Sequence, residues 1–97
     1  MNLLNREARD AALTELPGWQ VIDDRNAIGK VFHFADFGAA FAFMARMALL
    51  AEKMDHHPEW TNVYNRVDVV LTTHAAGGVT EKDVAMARAM EAYASAG

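Results

Sequence analysis

Cysteine is absent from the 97-residue chain. Its absence excludes disulfides, thiol nucleophiles, CxxC redox chemistry and thiolate metal sites together. Proline occurs only twice and glycine six times, with no Ser-, Gly- or Pro-rich tract, so no linker, repeat or low-complexity segment is expected. Long hydrophobic runs are also missing. The most apolar stretch, Phe37 to Ala51, is interrupted by Arg46 and is shorter than the roughly 20 residues of a membrane span. The opening MNLLNREARDAAL has no apolar segment after a basic start, which predicts no signal peptide and a cytoplasmic protein. Basic residues are scattered, nine against 13 acidic for a net charge of −4, and that argues against a nucleic-acid surface.

What is present is apolar and helix-favouring. Hydrophobic residues make up 53% of the chain, and 19 positions are alanine, the best helix former. The length suits one domain over residues 1–97, able to bury roughly 60–65% of its unfolded surface in a single core. For chemistry there remain four histidines and a few carboxylates.

Residues 5–15 read as a short helix capped by Asn5 and ended by Pro17-Gly18. Trp19–Ile22 and Ala27–Phe34 alternate apolar and polar around the turn residues Asp23 to Asn26, which predicts an antiparallel hairpin. Asp36 is placed to cap a long helix running to about Asp55. That helix is apolar on most of its circumference: Phe37, Ala40, Phe41, Met44, Met47, Ala48, Leu50 and Ala51. A helix with one wet face shows a narrower stripe. Either it lies deep in the monomer, or one side packs on a sheet and another against a second subunit; in a domain this small the second is expected. His57-Pro58 marks the end, because the residue before proline is pushed toward extended geometry. Trp60–Tyr64 and Val67–Thr73 read as a second hairpin turned at Asn65-Arg66, with Val67, Val69 and Leu71 on one face. After a loop at Ala75–Gly78, Glu81–Ser95 forms the last helix. The order α-β-β-α-β-β-α predicts an α+β fold: a four-stranded antiparallel sheet with helices packed on one face.

The informative segment is Glu52-Lys53-Met54-Asp55-His56-His57-Pro58-Glu59-Trp60. Glu52 and His56 stand four apart at a helix end, where side chains meet and a carboxylate can fix an imidazole's tautomer. Adjacent histidines diverge by about 100° inside a helix, but before a proline both can turn into one cleft. His74 ends a strand whose hairpin begins just after this segment, so three histidines can converge. With an ordinary pKa near 6.5, about a quarter of free imidazoles are protonated at pH 7, and one site can hold a donor and an acceptor together.

Plainer readings exist for the same residues. Paired histidines are commonly surface residues, and the helix dipole alone would favour His56. A three-histidine zinc site is a rival, but no HExxH or other zinc spacing is present. His33 has no partner by spacing. Trp60 and Tyr64 lie on one face of a strand, as core packing or as a wall for a flat ring. Thr80-Glu81-Lys82-Asp83 is a capping-box variant with Val79 and Val84 at the staple positions, which accounts for Asp83 without a role in a site.

Glu52, His56-His57-Pro58, Tyr64, His74 and Asp83 stand at the signature spacings of the pterin-4a-carbinolamine dehydratases, a family the chain resembles over nearly its whole length. Leu16-Pro17-Gly18-Trp19, Phe43-Met44, Ala51-Glu52-Lys53-Met54-Asp55, Asn62-Val63-Tyr64-Asn65 and Leu71-Thr72-Thr73-His74 carry the same resemblance. It implies a saddle-like α+β fold assembling as homodimers or homotetramers. It also implies dehydration of 4a-hydroxytetrahydropterin to quinonoid dihydropterin, which recycles the pterin cofactor of aromatic amino-acid hydroxylases, with no metal and no organic cofactor. The family's active-site histidines match His56, His57 and His74, and its acidic positions match Glu52 and Asp83.

On that basis His57 and His74 are expected to carry the acid and base roles, with His56 binding the pterin and sharing in proton transfer. Glu52 is expected to orient or charge-tune His56, Asp83 to hold His74 or the pterin edge, and Trp60 to border the ring. The alternative is a non-catalytic dimerisation or coactivator-type module, since animal members of the family also partner a homeodomain transcription factor.

Overall fold

The structure is a computed structural model and describes residues 2–22 and 24–96; Asp23, in the expected first turn, lies outside them. The elements follow the expected order: α1 (Arg6–Leu13), β1 (Gln20–Val21), β2 (Ile28–His33), α2 (Phe37–Met54), β3 (Glu59–Val63), β4 (Arg66–Leu71) and α3 (Glu81–Ala96). Among the described residues, no helix is long and apolar enough to cross a membrane.

The first two helix starts read from the sequence are built as expected. Asn5 Oδ1 accepts the Ala8 N–H at 2.8 Å, and Asp36 Oδ1 accepts that of Ala39 at 2.8 Å. Each satisfies one of the backbone donors that a first helical turn leaves free.

The four strands pair antiparallel in the order β1-β2-β4-β3. Val67, Val69 and Leu71 share one face of β4 and are fully buried with Ile28 and Phe32 of β2. Ala40, Phe43, Met47 and Ala51 of α2 and Met86, Ala87 and Met90 of α3 close that face into one core. The α2 residues recur at 3, 4 and 4 positions, the stripe of a helix lying on a sheet. The sequence's wider apolar girdle then divides, because Phe37, Phe41 and Leu49 stay exposed on the single chain while Met44 and Leu50 pack at the core's edge.

Several helix and strand ends differ from the sequence expectation by one or two residues, and four of them have a clear local reason. α1 stops at Leu13 and hands over to tight turns, Glu15 N–H to Ala12 O and Leu16 N–H to Leu13 O. β1 excludes Trp19, which is buried against Phe32 and donates its indole N–H to Glu91 on α3 at 2.9 Å. β3 stops at Val63, because Tyr64 takes the left-handed conformation (φ 51°) in the turn to Arg66. The expected shared face of Trp60 and Tyr64 is lost with it. β4 ends at Leu71, where the Thr72 hydroxyl turns to the Asn26 carbonyl at 2.8 Å and that of Thr73 to Asp83 at 2.8 Å.

Candidate active site

The end of α2 sets the geometry. Asp55 takes the left-handed conformation (φ 51°, ψ 46°). Its N–H reaches the Glu52 carbonyl at 3.2 Å while the His56 N–H reaches that of Ala51 at 3.0 Å. This is the Schellman arrangement, with aspartate where glycine is usual. The chain reverses at that point, so His56 no longer continues the helical spiral from Glu52. Pro58 then commits the chain to β3.

The reversal turns His56 inward, where it is 7% exposed, and its Nε2 meets Asp83 Oδ1 at 2.6 Å. Asp83 is fully buried at the start of α3. Its other oxygen accepts the Thr80 N–H at 2.8 Å and the Thr73 hydroxyl at 2.8 Å. Thr73 has one proton and gives it to Asp83, so the 2.7 Å contact between Thr73 and Thr80 is a bond donated by Thr80. The Thr80 oxygen in turn accepts the Lys82 N–H at 3.3 Å. The capping box and the site are therefore one structure: the carboxylate that caps α3 also holds His56. Val79 and Val84, the expected staple pair, are both buried beside it.

His57 faces solvent with Glu52, Nε2 to Oε1 at 3.0 Å. His74 opens the tight turn between Thr73 and Gly78, whose backbones pair across it with Thr73 N–H to Gly78 O at 2.8 Å. Its Nε2 meets Glu59 Oε2 at 2.9 Å. Glu59 is held in turn by both Nη atoms of Arg25, at 2.8 and 2.9 Å. Hydrogen bonds from Arg25 first, and then from His74, hold the Glu59 carboxyl well below its ordinary value, at about 2.

His56, His57 and His74 line one cleft of about 380 Å³, together with Asp55, Glu59 and Lys82. A smaller apolar recess of about 90 Å³ among Phe34, Phe43, Arg46 and Tyr93 holds no such pairing. Each of the three imidazoles meets its carboxylate through Nε2. An ionised carboxylate only accepts, so Nε2 carries the proton and the lone pair of the neutral ring lies on Nδ1.

The partners differ from those expected by spacing. Glu52 holds His57 rather than His56, because the left-handed Asp55 takes His56 off the helix. Asp83 holds His56 rather than His74. Trp60 does not line the cleft; it sits across from Val69 on the helix-facing side and packs on the core. Tyr64 is exposed in its turn, and His33 is exposed on β2. Glu59, Arg25 and Lys82 were not foreseen. Glu59 adjoins the His-His-Pro run, but its pairing with a histidine fifteen positions on depends on the β3–β4 register. Arg25 read only as a turn residue.

Fold and site together define a class: a small α+β domain whose cleft offers proton donors and acceptors, three imidazoles each backed by a carboxylate. The family model described as pterin 4 alpha carbinolamine dehydratase matches residues 2–93. A protein of Rhodopseudomonas palustris named for that activity is 62% identical over 92 residues, covering 95% of this chain and 91% of its own. A second of that name, from Rhizorhabdus wittichii, is 62% identical over 91 residues, with 94% of each chain covered. The crystal structure of a transcriptional coactivator/pterin dehydratase from Brucella melitensis superposes with a TM-score of 0.94 at 57% identity, over 96% of this chain and 99% of that one. The chain belongs to the pterin-4a-carbinolamine dehydratase family.

Proposed function

We propose that this protein dehydrates 4a-hydroxytetrahydropterin to quinonoid dihydropterin by histidine acid–base catalysis, without a metal or organic cofactor. The observation that carries the reading is the convergence of His56, His57 and His74 in one cleft, each with its own carboxylate. Family membership supports the substrate class.

The substrate carries a hydroxyl on C4a beside the N5 amine. As the C4a–O bond breaks, an imidazolium gives its proton to the departing oxygen and water leaves. Electrons from nitrogen form the C4a=N5 double bond, and a neutral imidazole takes the ring-nitrogen proton. Proton exchange with solvent then resets both rings. His57 and His74 suit these roles, because both are exposed and both keep Nδ1 free of the carboxylate. His56, almost wholly buried and fastened to Asp83, suits binding the pterin and sharing in the transfer. Positioned proton transfer is worth roughly 10²–10⁴-fold in rate. Stopped-flow absorbance on enzymatically generated 4a-carbinolamine tests the assignment: His57→Ala and His74→Ala should each lose activity on that scale, and full turnover in both would defeat it.

The physiological setting in this reading is the cytoplasm, where the enzyme serves an aromatic amino-acid hydroxylase as a homodimer or homotetramer. Exposed Phe37, Phe41 and Leu49 on α2 supply an apolar surface for that assembly. The same surface favours a second reading, a coactivator-type dimerisation module, a role that the Brucella protein's name also mentions. A catalytically silent protein that binds a partner through α2 would favour the second.

A further inference from the structure

Three segments far apart in sequence meet at His74. Arg25 comes from the turn between β1 and β2, Glu59 from the first position of β3, and His74 from the turn after β4. We propose that Glu59, clamped by Arg25, is the positioning residue of His74, fixing the ring's orientation and tautomer. The proposal rests on the reading that His74 exchanges a proton with the substrate.

The geometry of the carboxylate carries it. Arg25 Nη1 donates to Oε1 at 2.8 Å and Nη2 to Oε2 at 2.9 Å, a two-pronged fork that fixes the carboxylate plane as well as its place. Oε2 then has a defined direction left for His74 Nε2, at 2.9 Å. His74 is 75% exposed, so packing does little to choose its rotamer and the carboxylate is what holds the ring. The clamp itself stands on a tied base. Arg25 donates its N–H to the Ile22 carbonyl at 3.2 Å and accepts from the Ala27 N–H at 3.0 Å. The adjoining Asn26 accepts the Thr72 hydroxyl on its carbonyl and the Val79 N–H on its side chain.

Stability is a poor explanation for such a network. Arg25 and Glu59 are both partly exposed, and exposed ion pairs contribute little. Orientation is a better one, since a slightly misplaced proton-transfer group loses rate steeply. Glu59 also stays ionised wherever an imidazole titrates, so the tautomer it selects does not change across the working range.

The test combines kinetics on the intact enzyme with a ring measurement made without substrate. Glu59→Gln should lower kcat roughly ten- to a hundredfold, with KM nearly unchanged and the thermal midpoint close to wild type. In a His74→Ala background the same change should cost less than about twofold, because a residue acting through His74 has nothing left to position. Arg25→Lys keeps the charge but not the fork, and should lose activity as Arg25→Ala does. By NMR relaxation, the labelled His74 ring should be ordered in wild type and mobile in Glu59→Gln. An equal loss in both backgrounds, or a His74 ring equally ordered with and without Glu59, overturns the proposal. If His74→Ala alone kept full activity, the catalytic reading of His74 would fall, and the ring measurement would still decide the positioning claim.

Discussion

Removing the Asp83 carboxylate should separate its two duties, capping α3 and holding His56. In Asp83→Ala three donors lose their acceptor: the Thr80 N–H, the His56 Nε2–H and one hydroxyl proton. Thr73 can turn its proton to Thr80, but Thr80's own proton then has no acceptor, so one hydroxyl is orphaned either way. A buried donor left alone costs about 1–3 kcal/mol, so three of them set a ceiling of about 3–9 kcal/mol. Some water will enter the space, so a loss of about 3–5 kcal/mol is expected, a large part of the stability of a domain this size. Asp83→Asn should behave differently. Its amide oxygen can keep the Thr80 and Thr73 bonds while its NH₂ faces His56. The imidazole must then accept at Nε2 and carry its proton on Nδ1. The Asn variant should therefore fold with a loss of about 1 kcal/mol, show the inverted His56 tautomer in long-range ¹H–¹⁵N correlation spectra, and lose activity. Urea unfolding at fixed protein concentration gives the stabilities. An Ala variant within about 1 kcal/mol of wild type, or an Asn variant still protonated at Nε2, would refute the reasoning.

Glu59 predicts an acid-sensitive share of stability. Folding lowers its pKa from 4.5 to about 2, so its contribution is complete above the unfolded value and is lost as pH falls from about 4.5 toward 2. The urea-midpoint difference between wild type and Glu59→Gln should be small at neutral pH, because the pair is partly exposed, and should vanish near pH 2; a difference that does not change with pH would contradict the linkage. Asp55 holds a left-handed conformation that glycine adopts without steric cost. Asp55→Gly should be neutral or stabilising by up to about 1 kcal/mol, and Asp55→Val destabilising by more, as read by thermal melts. Phe41→Glu on the exposed side of α2 should reduce the mass measured by light scattering while leaving the circular dichroism spectrum intact. An unchanged oligomer would remove that face as the contact.

The parts of the fold governed by short-range rules were readable in the chain. Asn5 and Asp36 cap as their chemistry requires, and Val67, Val69 and Leu71 are buried on the face set by strand periodicity. Thr80 and Asp83 close the start of α3 as a capping box predicts. Departures occur where one backbone angle or one tertiary hydrogen bond overrides a local pattern. Four-residue spacing pointed Glu52 at His56, but that inference assumes an unbroken helix. A single left-handed residue between them moved His56 to Asp83 and gave Glu52 to His57. Trp60 and Tyr64 were parted in the same way by the φ of Tyr64.

The three histidine–carboxylate pairs differ in how much of the fold each requires. Glu52 and His57 need only a helix end, and the pair lies exposed at the surface. His56 and Asp83 need α2 docked beside the start of α3, and the resulting pair is buried. His74 and Glu59 need the register of β3 on β4 and the arrival of Arg25 from a third segment. The buried pair is thus assembled by the core and the two accessible pairs by its margins, and the proposed division between a binding imidazole and two proton-exchanging ones rests on that contrast. That division also explains why sequence signatures disclose the histidines but not all their partners. Glu52 and Asp83 sit at fixed offsets in the signature, whereas Glu59 reaches His74 only because the whole sheet forms in one register.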